Sequence, residues 1–297
     1  MKKLILFQPL FLLLALGVLW GSGYVIARFA VTHGIHPLGY AFWQSLGPAI
    51  LLCLFAIKHK PLQVIRRPNS WRFYFVCGLI GIAIPNSNMY FVAGHIPAGM
   101  LAIIVNTVPI LIFPLALLFR QETFSWPRLF AVIIGVLGIM LLVLPHELLP
   151  NSSYGWWPLL ALISPLMFAL CAIYISNQRI QQPDALVSAA GMMLASTILL
   201  TPLVISTHSF YSLWPPLMPA GWLVIVEILL SSLGYVIFFR LINLAGPVYY
   251  SMVGGVVGIT GLFWGWLIFN EYPTLIMLLA TVLIVTAITW LTVIRSE

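Results

Sequence analysis

The residue with the clearest chemical potential in this 297-residue chain is Glu227, the one acid of six that falls in the middle of a long apolar stretch. It stands about nine residues into a run that begins near 218, roughly 14 Å along a helix at 1.5 Å per residue. A charge at that depth of a bilayer core about 30 Å thick costs at least about 2.5 to 3.5 kcal/mol, so the group must meet water, a partner or a proton. Ser231 and Tyr235 follow at i+4 and i+8 and give the same helix one polar face. A carboxyl group so placed suits a proton carrier or a counter-charge to an amine. The structural alternative is a protonated glutamate bonded to a neighbouring helix.

Other residues offer matching chemistry. Trp20, Tyr24 and Arg28 recur at i, i+4 and i+8, so two aromatic rings lead up to a guanidinium near a helix end. Arg28 either snorkels to the headgroups, attracts a substrate carboxylate or closes an outer gate. Pro85, Pro109 and Pro165 stand inside apolar runs, and each frees the carbonyl four residues earlier, at Gly81, Val105 and Ala161. Asn86 and Asn88 flank Pro85, while Asn106 and Thr107 precede Pro109; bent helices with buried amides predict the lining of a cavity. Tyr90, Tyr249 and Tyr250 would add aromatic faces suited to aromatic or cationic groups. Glu122 and Glu271 precede Trp126-Pro127 and Tyr272-Pro273, where new helices begin, and suit a structural or gating role. Trp126, Trp156, Trp157, Trp214 and Trp222 lie near span ends and read as interface anchors.

The elements that must position these residues follow from composition. The chain is 62% hydrophobic and 6% charged, which excludes an ordinary soluble globule. Spans are expected at 9–31, 37–57, 71–93, 97–119, 126–144, 156–177, 183–205, 218–241, 246–269 and 273–294. Lys2 and Lys3 precede an apolar run that continues past the usual signal-peptide core to about Ala30, which predicts a retained first span. With the N-terminus inside, Lys2, Lys3, Lys58, Lys60, Arg66, Arg67, Arg72, Arg120, Arg128, Arg179, Arg240 and Arg295 all fall on the cytoplasmic side, and only Arg28 faces outward. The net charge of +7 is therefore a topology device, and no nucleic-acid partner is expected. His33, His36, His95, His146 and His208 fall outside and read as interfacial; Cys53, Cys77 and Cys171 lie in apolar segments without metal-ligand spacing.

A shift of 149 residues superposes Leu118 on Leu267, Glu122 on Glu271, Ala131 on Ala280, Val136 on Val285 and Ile139 on Ile288. Each half, 1–148 and 149–297, holds five spans, an odd number, so the second copy must lie upside down. The expected fold is thus all-α and integral to the membrane: ten transmembrane helices in two inverted-topology five-helix repeats, with both termini cytoplasmic. Inverted repeats characterise secondary transporters, which place the substrate site near the midplane between repeats.

At this level the sequence resembles a known family. Trp20-Gly21-Ser22-Gly23-Tyr24 resembles the opening of EamA-type members of the drug/metabolite transporter superfamily. The segments Ile96-Pro97-Ala98-Gly99 through Pro109 to Glu122, and Ala245-Gly246-Pro247 to Glu271, resemble two copies of that family's fourth-span motif. The second copy has Gly258 where Pro109 superposes. The resemblance covers about residues 10 to 294 and implies a multi-pass transporter of the bacterial inner or plasma membrane. Its cargo would be a small organic metabolite, an amino acid or related amine, with export the favoured direction.

Within that frame Glu227 would couple to protons or bind an amine, and Trp20, Tyr24, Asn86, Tyr90, Asn106, Ser231 and Tyr235 would line the path. Gly254, Gly258, Gly261 and Gly265 make two small-xxx-small pairs, either a sliding seam or a tight static contact. A second reading is uptake of a quaternary amine such as choline in an aromatic cage beside Glu227. An intramembrane enzyme would need a nucleophile with a base, or paired acids, at membrane depth. One midplane acid and no midplane histidine argue against it, and no cofactor or metal is expected. A channel would need rings of charge or a repeated filter motif, and neither is present.

Overall fold

The computed structural model describes residues 2–59, 68–119, 124–148, 154–178, 185–214, 218–251 and 253–294. Lipid offers the backbone no hydrogen-bond partners, so a chain this apolar must satisfy its amides within helices. Among the described residues all regular structure is helical. It comprises α1 (Lys2–Thr32), α2 (Pro37–His59), α3 (Pro68–Gly78), a π-helical turn (Leu79–Ala83), α4 (Ile84–Ala93), α5 (Ala98–Val105) and α6 (Val108–Leu118). The chain continues with α7 (Trp126–Leu148), α8 (Trp157–Ala161), α9 (Ile163–Asn177), α10 (Ala185–Ser206), α11 (Pro219–Ser251), α12 (Val253–Phe269) and α13 (Leu275–Ile294).

Seven stretches are long and apolar enough to cross a membrane: Gln8–Thr32, Pro37–Ala56, Ser70–Ala93, Ala98–Leu118, Trp157–Ile175, Ala185–Ser206 and Pro219–Leu241. Three shorter apolar helices, Trp126–Leu141, Val253–Phe269 and Leu275–Ala287, complete a membrane bundle of ten segments. The ends match the expected spans within about a turn, with one correction. The Ala245-Gly246-Pro247 segment, expected to open the ninth span, lies inside α11, which runs to Ser251. Proline removes one donor, and the loss of a single bond to the carbonyl at Asn243 bends a helix without having to end it.

The outside of the bundle is apolar, with Phe11, Leu54, Phe55, Ile205 and Val282 more than half exposed, while Gln44, Ser45, Asn86, Ser196, Glu227 and Ser231 are buried. This distribution inverts that of a soluble protein and fits a lipid-facing surface around a polar interior. Trp126, Trp156, Trp214 and Trp222 are exposed, as interface anchors should be. Packing joins α7 to α13, α2 to α10, α1 to both α11 and α12, and α9 to both α4 and α6. The α2–α10 contact includes a buried hydrogen bond between Ser45 and Ser196 at 3.0 Å.

The three prolines mark three breaks, and polar side chains bond the backbone beside each. The π-helical turn precedes Pro85, whose carbonyl accepts a bond from Ser164 Oγ at 2.8 Å. Before Pro109 the chain breaks between α5 and α6, where Asn106 Nδ2 donates to Ala102 O and Thr107 Oγ1 to Ile104 O, both at 2.7 Å. Before Pro165 the break falls at Leu162, and Asn88 Nδ2 donates to Leu160 O at 2.9 Å. By contrast α2 continues through Pro48 and α10 through Pro202. With Gly258 in place of a proline, α12 is unbroken.

The glycine face of α12 lies against α5. A Cβ at Gly261 would overlap that of Ala102, whereas nothing stands within 4 Å of one at Gly255. Gly261→Val is therefore expected to destabilise the purified protein by about 1 to 3 kcal/mol through overpacking. The measurement is the thermal unfolding midpoint, which Gly255→Ala should leave unchanged.

Candidate functional site

Glu227 lies two turns into α11 and is 6% exposed. Ser231, one turn further along, places its Oγ 3.1 Å from Glu227 Oε1 and 2.9 Å from Gln44 Oε1 on α2, its one proton serving both acceptors. Gln44 Nε2 in turn donates to the carbonyl of Val224 at 3.4 Å. This buried triad fixes the carboxyl group from one side. On the other side is Gly23 of α1, where a Cβ would stand 2.6 Å from Glu227 Oε1, so only glycine leaves room for the carboxyl group. Glu227 Oε2 is buried with no hydrogen-bond partner.

The carboxyl group borders an interior cavity of about 130 Å³. All eight residues expected to line a substrate path do line it: Trp20, Tyr24, Asn86, Tyr90, Asn106, Glu227, Ser231 and Tyr235. Helix breaks bring several of them together, since Gly81 of the π-helical turn and Val105 and Val108 around the α5–α6 break share the same wall. Asn106 Nδ2 donates to the Tyr24 hydroxyl at 3.2 Å, and Asn86 Nδ2 to the Tyr235 hydroxyl at 3.5 Å. Trp20 packs its ring against Tyr235, Phe238 and Tyr250 at centroid distances of 5.9, 5.6 and 6.2 Å. Tyr90 meets Tyr40 edge-on at 4.6 Å.

The sequence reading missed Gln44 and much of the apolar wall. An amide in the middle of α2, next to Ser45, was the available signal for Gln44. Met89, Phe168, Cys171, Met192 and Phe238 line the cavity too, but in a chain this apolar nothing in residue type separates them from core. Tyr250 lines it as expected, and the side chain of Tyr249 lies outside the described residues.

The bundle has two distinct ends. Lys58, Arg72, Arg128 and Arg240 mark a basic end; the turns at His33–His36 and Asn270–Thr274 mark the far end. Lining residues reach the last turn of two spans toward the basic end, at Ile175 and Phe238. Toward the far end, two turns of α1 and of α11 separate Tyr24 and Glu227 from Thr32 and Pro219, about 12 Å in each case.

At that far end Arg28 forms an ion pair with Glu271 and places its guanidinium 5.0 Å from the Phe269 ring centre. Glu271 was expected to serve the start of the helix that follows it. Instead its Oε2 accepts a 3.1 Å bond from the N–H of Ala98, the first residue of α5. Asn270 adopts a left-handed φ of 53°, which ends α12 sharply and turns the chain back toward α5. Gly265 admits the carboxylate, since a Cβ there would lie 3.0 Å from Glu271 Oε2. A carboxylate at a helix N-terminus is stabilised by about 0.3 to 1 kcal/mol, and by up to ~2 where partly buried. The result ties α1, α5 and the α12–α13 turn together. Glu122, the expected counterpart of Glu271, lies outside the described residues, as do Lys60, Arg66, Arg67, Arg120, Arg179 and Arg295.

A polar, aromatic-lined cavity inside a ten-segment bundle, with broken helices beside it, defines the class of a membrane transporter. The particular resemblance follows from comparison: residues 8–144 match the EamA-like transporter family, to which the chain is thus similar. It is 29% identical over 263 residues to the uncharacterized inner membrane transporter YedA of Escherichia coli (strain K12), covering 84% of this chain and 81% of that one. A WAT1-related protein, At1g43650 of Arabidopsis thaliana, is 29% identical over 128 residues, or 39% of this chain and 36% of its own. A solved crystal structure superposes over 97% of this chain and 98% of the other with a TM-score of 0.66 at 15% identity, a likeness of fold alone.

The tie at the far end generates a prediction. Glu271→Gln is expected to loosen it, so that Cys171 in the cavity wall reacts at least about tenfold faster with a membrane-impermeant thiol reagent added from that side, a shift of ~1.4 kcal/mol in a two-state equilibrium. The measurement uses a background in which Cys53 and Cys77 are serine.

Proposed function

We propose that the chain is a secondary active transporter that moves an amino acid or related amine out of the cell across the inner membrane. It would do so by alternating access between two inverted five-helix repeats, 1–148 and 149–297, with both termini cytoplasmic. The observation that carries this reading is Glu227: a buried carboxyl group with one oxygen unpartnered, at the edge of an aromatic cavity between the halves.

Packing supports the repeat. The α7–α13 contact pairs the fifth span with the tenth, and the α2–α10 contact pairs the second with the seventh, so each joins register equivalents. The contact of α1 with α12 has its equivalent in that of α9 with α6, and the contact of α1 with α11 in that of α9 with α4. Asn86 and Tyr235, which touch across the cavity, are themselves 149 positions apart. Residues equivalent under a twofold rotation meet only near its axis, which therefore passes through the cavity.

Placing the basic end in the cytoplasm follows from the positive-inside bias. The cavity then reaches toward the cytoplasm, while Arg28, Glu271 and the start of α5 close the outer side, the state in which an exporter loads. Release requires that tie to open and the cytoplasmic side to close, with Pro85, Pro109 and Pro165 at the bends that permit it. Glu227 couples the cycle because its ionised form holds an amine and its protonated form does not. Amine affinity accordingly rises with pH as Glu227 ionises, and a proton from an acidic exterior displaces the cargo outward.

Efflux of preloaded amines and amino acids from proteoliposomes tests this. In the wild type an acidic exterior should accelerate efflux, and Glu227→Gln should slow it at least about tenfold and abolish the response to the gradient. A Glu227→Gln protein whose efflux still follows the pH gradient would remove the proton-carrier role.

A further inference from the structure

The charges around the cavity narrow the cargo further, given the reading above that this cavity is the transport site. Among the described lining residues Glu227 is the one carboxyl group, and there is no lysine, arginine or histidine. The cation nearest along the cavity-lining face of α1, Arg28, is held by Glu271 outside the lining. The amide donors of Asn106 are spent on the Tyr24 hydroxyl and the Ala102 carbonyl, and Asn86 donates to the Tyr235 hydroxyl. The two tyrosine hydroxyls keep a proton each to donate, but a neutral donor balances no charge.

A monocation therefore brings the cavity to neutrality with Glu227. A zwitterion brings in a carboxylate that finds no cation, and an ion buried without a partner costs several kcal/mol. The state of the carboxyl group discriminates further. Glu227 Oε1 is occupied by Ser231, while the buried Oε2 has no partner and calls for an N–H donor. A primary ammonium supplies one; a quaternary ammonium has none.

The cavity also has a direction. Along α11 it passes from Glu227 and Ser231 to Tyr235 and Phe238, and the last two pack with Trp20 and Tyr250 into an aromatic group. Tyr235 lies eight residues from Glu227, about 12 Å along the helix. Charge thus sits at one end and aromatic surface at the other, the complement of an amine with a lipophilic tail. An apolar cavity of about 150 Å³ holds a benzene-sized guest, so the 130 Å³ here limits the aromatic part of the cargo to a single ring.

We infer that the site takes the monocation of a lipophilic primary amine, of the arylalkylamine class. The ammonium group sits on Glu227 Oε2 and the ring faces the near side of the aromatic group, at Trp20 and Tyr235. The amino acid carrying the same side chain is refused for its carboxylate, and the trimethylammonium analogue for its lack of an N–H.

Equilibrium binding to the purified full chain in lipid nanodiscs tests this, with radiolabelled 2-phenylethylamine and radiolabelled L-phenylalanine each measured directly, and unlabelled phenylethyltrimethylammonium as competitor. The amine is expected to bind at least about tenfold more tightly than either of the others. Glu227→Gln should weaken the amine at least about tenfold and change L-phenylalanine by less than ~2-fold. The wild-type comparison needs no variant, so it stands even if Glu227→Gln does not fold. Equal or tighter binding of L-phenylalanine, or of the quaternary compound, overturns the amine assignment while leaving Glu227 as the centre of the site if Glu227→Gln abolishes that binding. Saturable binding of none of the three overturns the amine assignment and the reading of the cavity as a transport site together.

Discussion

A carboxyl group two turns deep in an apolar helix cannot be left to the lipid, and the centre of this structure is organised by that constraint. Ser231 and Gln44 occupy one side of Glu227, and the missing side chain of Gly23 makes room on the other. That requirement brings α1 and α2 against α11. The helices that complete the cavity wall are broken ones, and Asn88, Asn106, Thr107 and Ser164 bond backbone carbonyls beside the breaks. Polar side chains in this bundle thus serve two purposes, bonding the backbone beside the breaks and facing the cavity, and Asn106 does both.

The two charged clusters divide the work by depth. Glu227 sits at the middle, where an ionised group needs a partner that arrives with the cargo or a proton. Arg28 and Glu271 sit at the far end, where each already has its partner. A charge that is permanently paired holds elements together; a charge left half-paired is available to bind. The same economy explains why the family match says little about cargo: the helical frame is set by hydropathy and breaks, whereas selectivity rests on a handful of side chains.

The spans, Glu227 with its polar face, and the three bends at Pro85, Pro109 and Pro165 were legible because each is a local departure from a monotonous apolar background. A proline, an amide or an acid in such a run has few readings. Gln44 was not singled out, since its partner Ser231 lies 187 positions away and only the fold joins them. The role of Glu271 was legible as structural but not in its partner, because a turn residue was expected to serve the helix after it, and the left-handed Asn270 directs it to α5 instead. The unbroken run of α11 through Pro247 shows the opposite error: a residue that usually punctuates a helix was read as opening a new one.

The meeting of Asn86 with Tyr235 has a consequence for how such a protein came to bind an asymmetric cargo. In a dimer of identical units, a residue on the twofold axis faces its own copy and can meet only its own chemistry. On the proposed 149-residue repeat, fusion into one chain freed the two positions to diverge, so that an amide on one side now donates to a phenol on the other. A fused pair can therefore present a carboxyl group once rather than twice, and hold a molecule with a distinct head and tail in a single orientation.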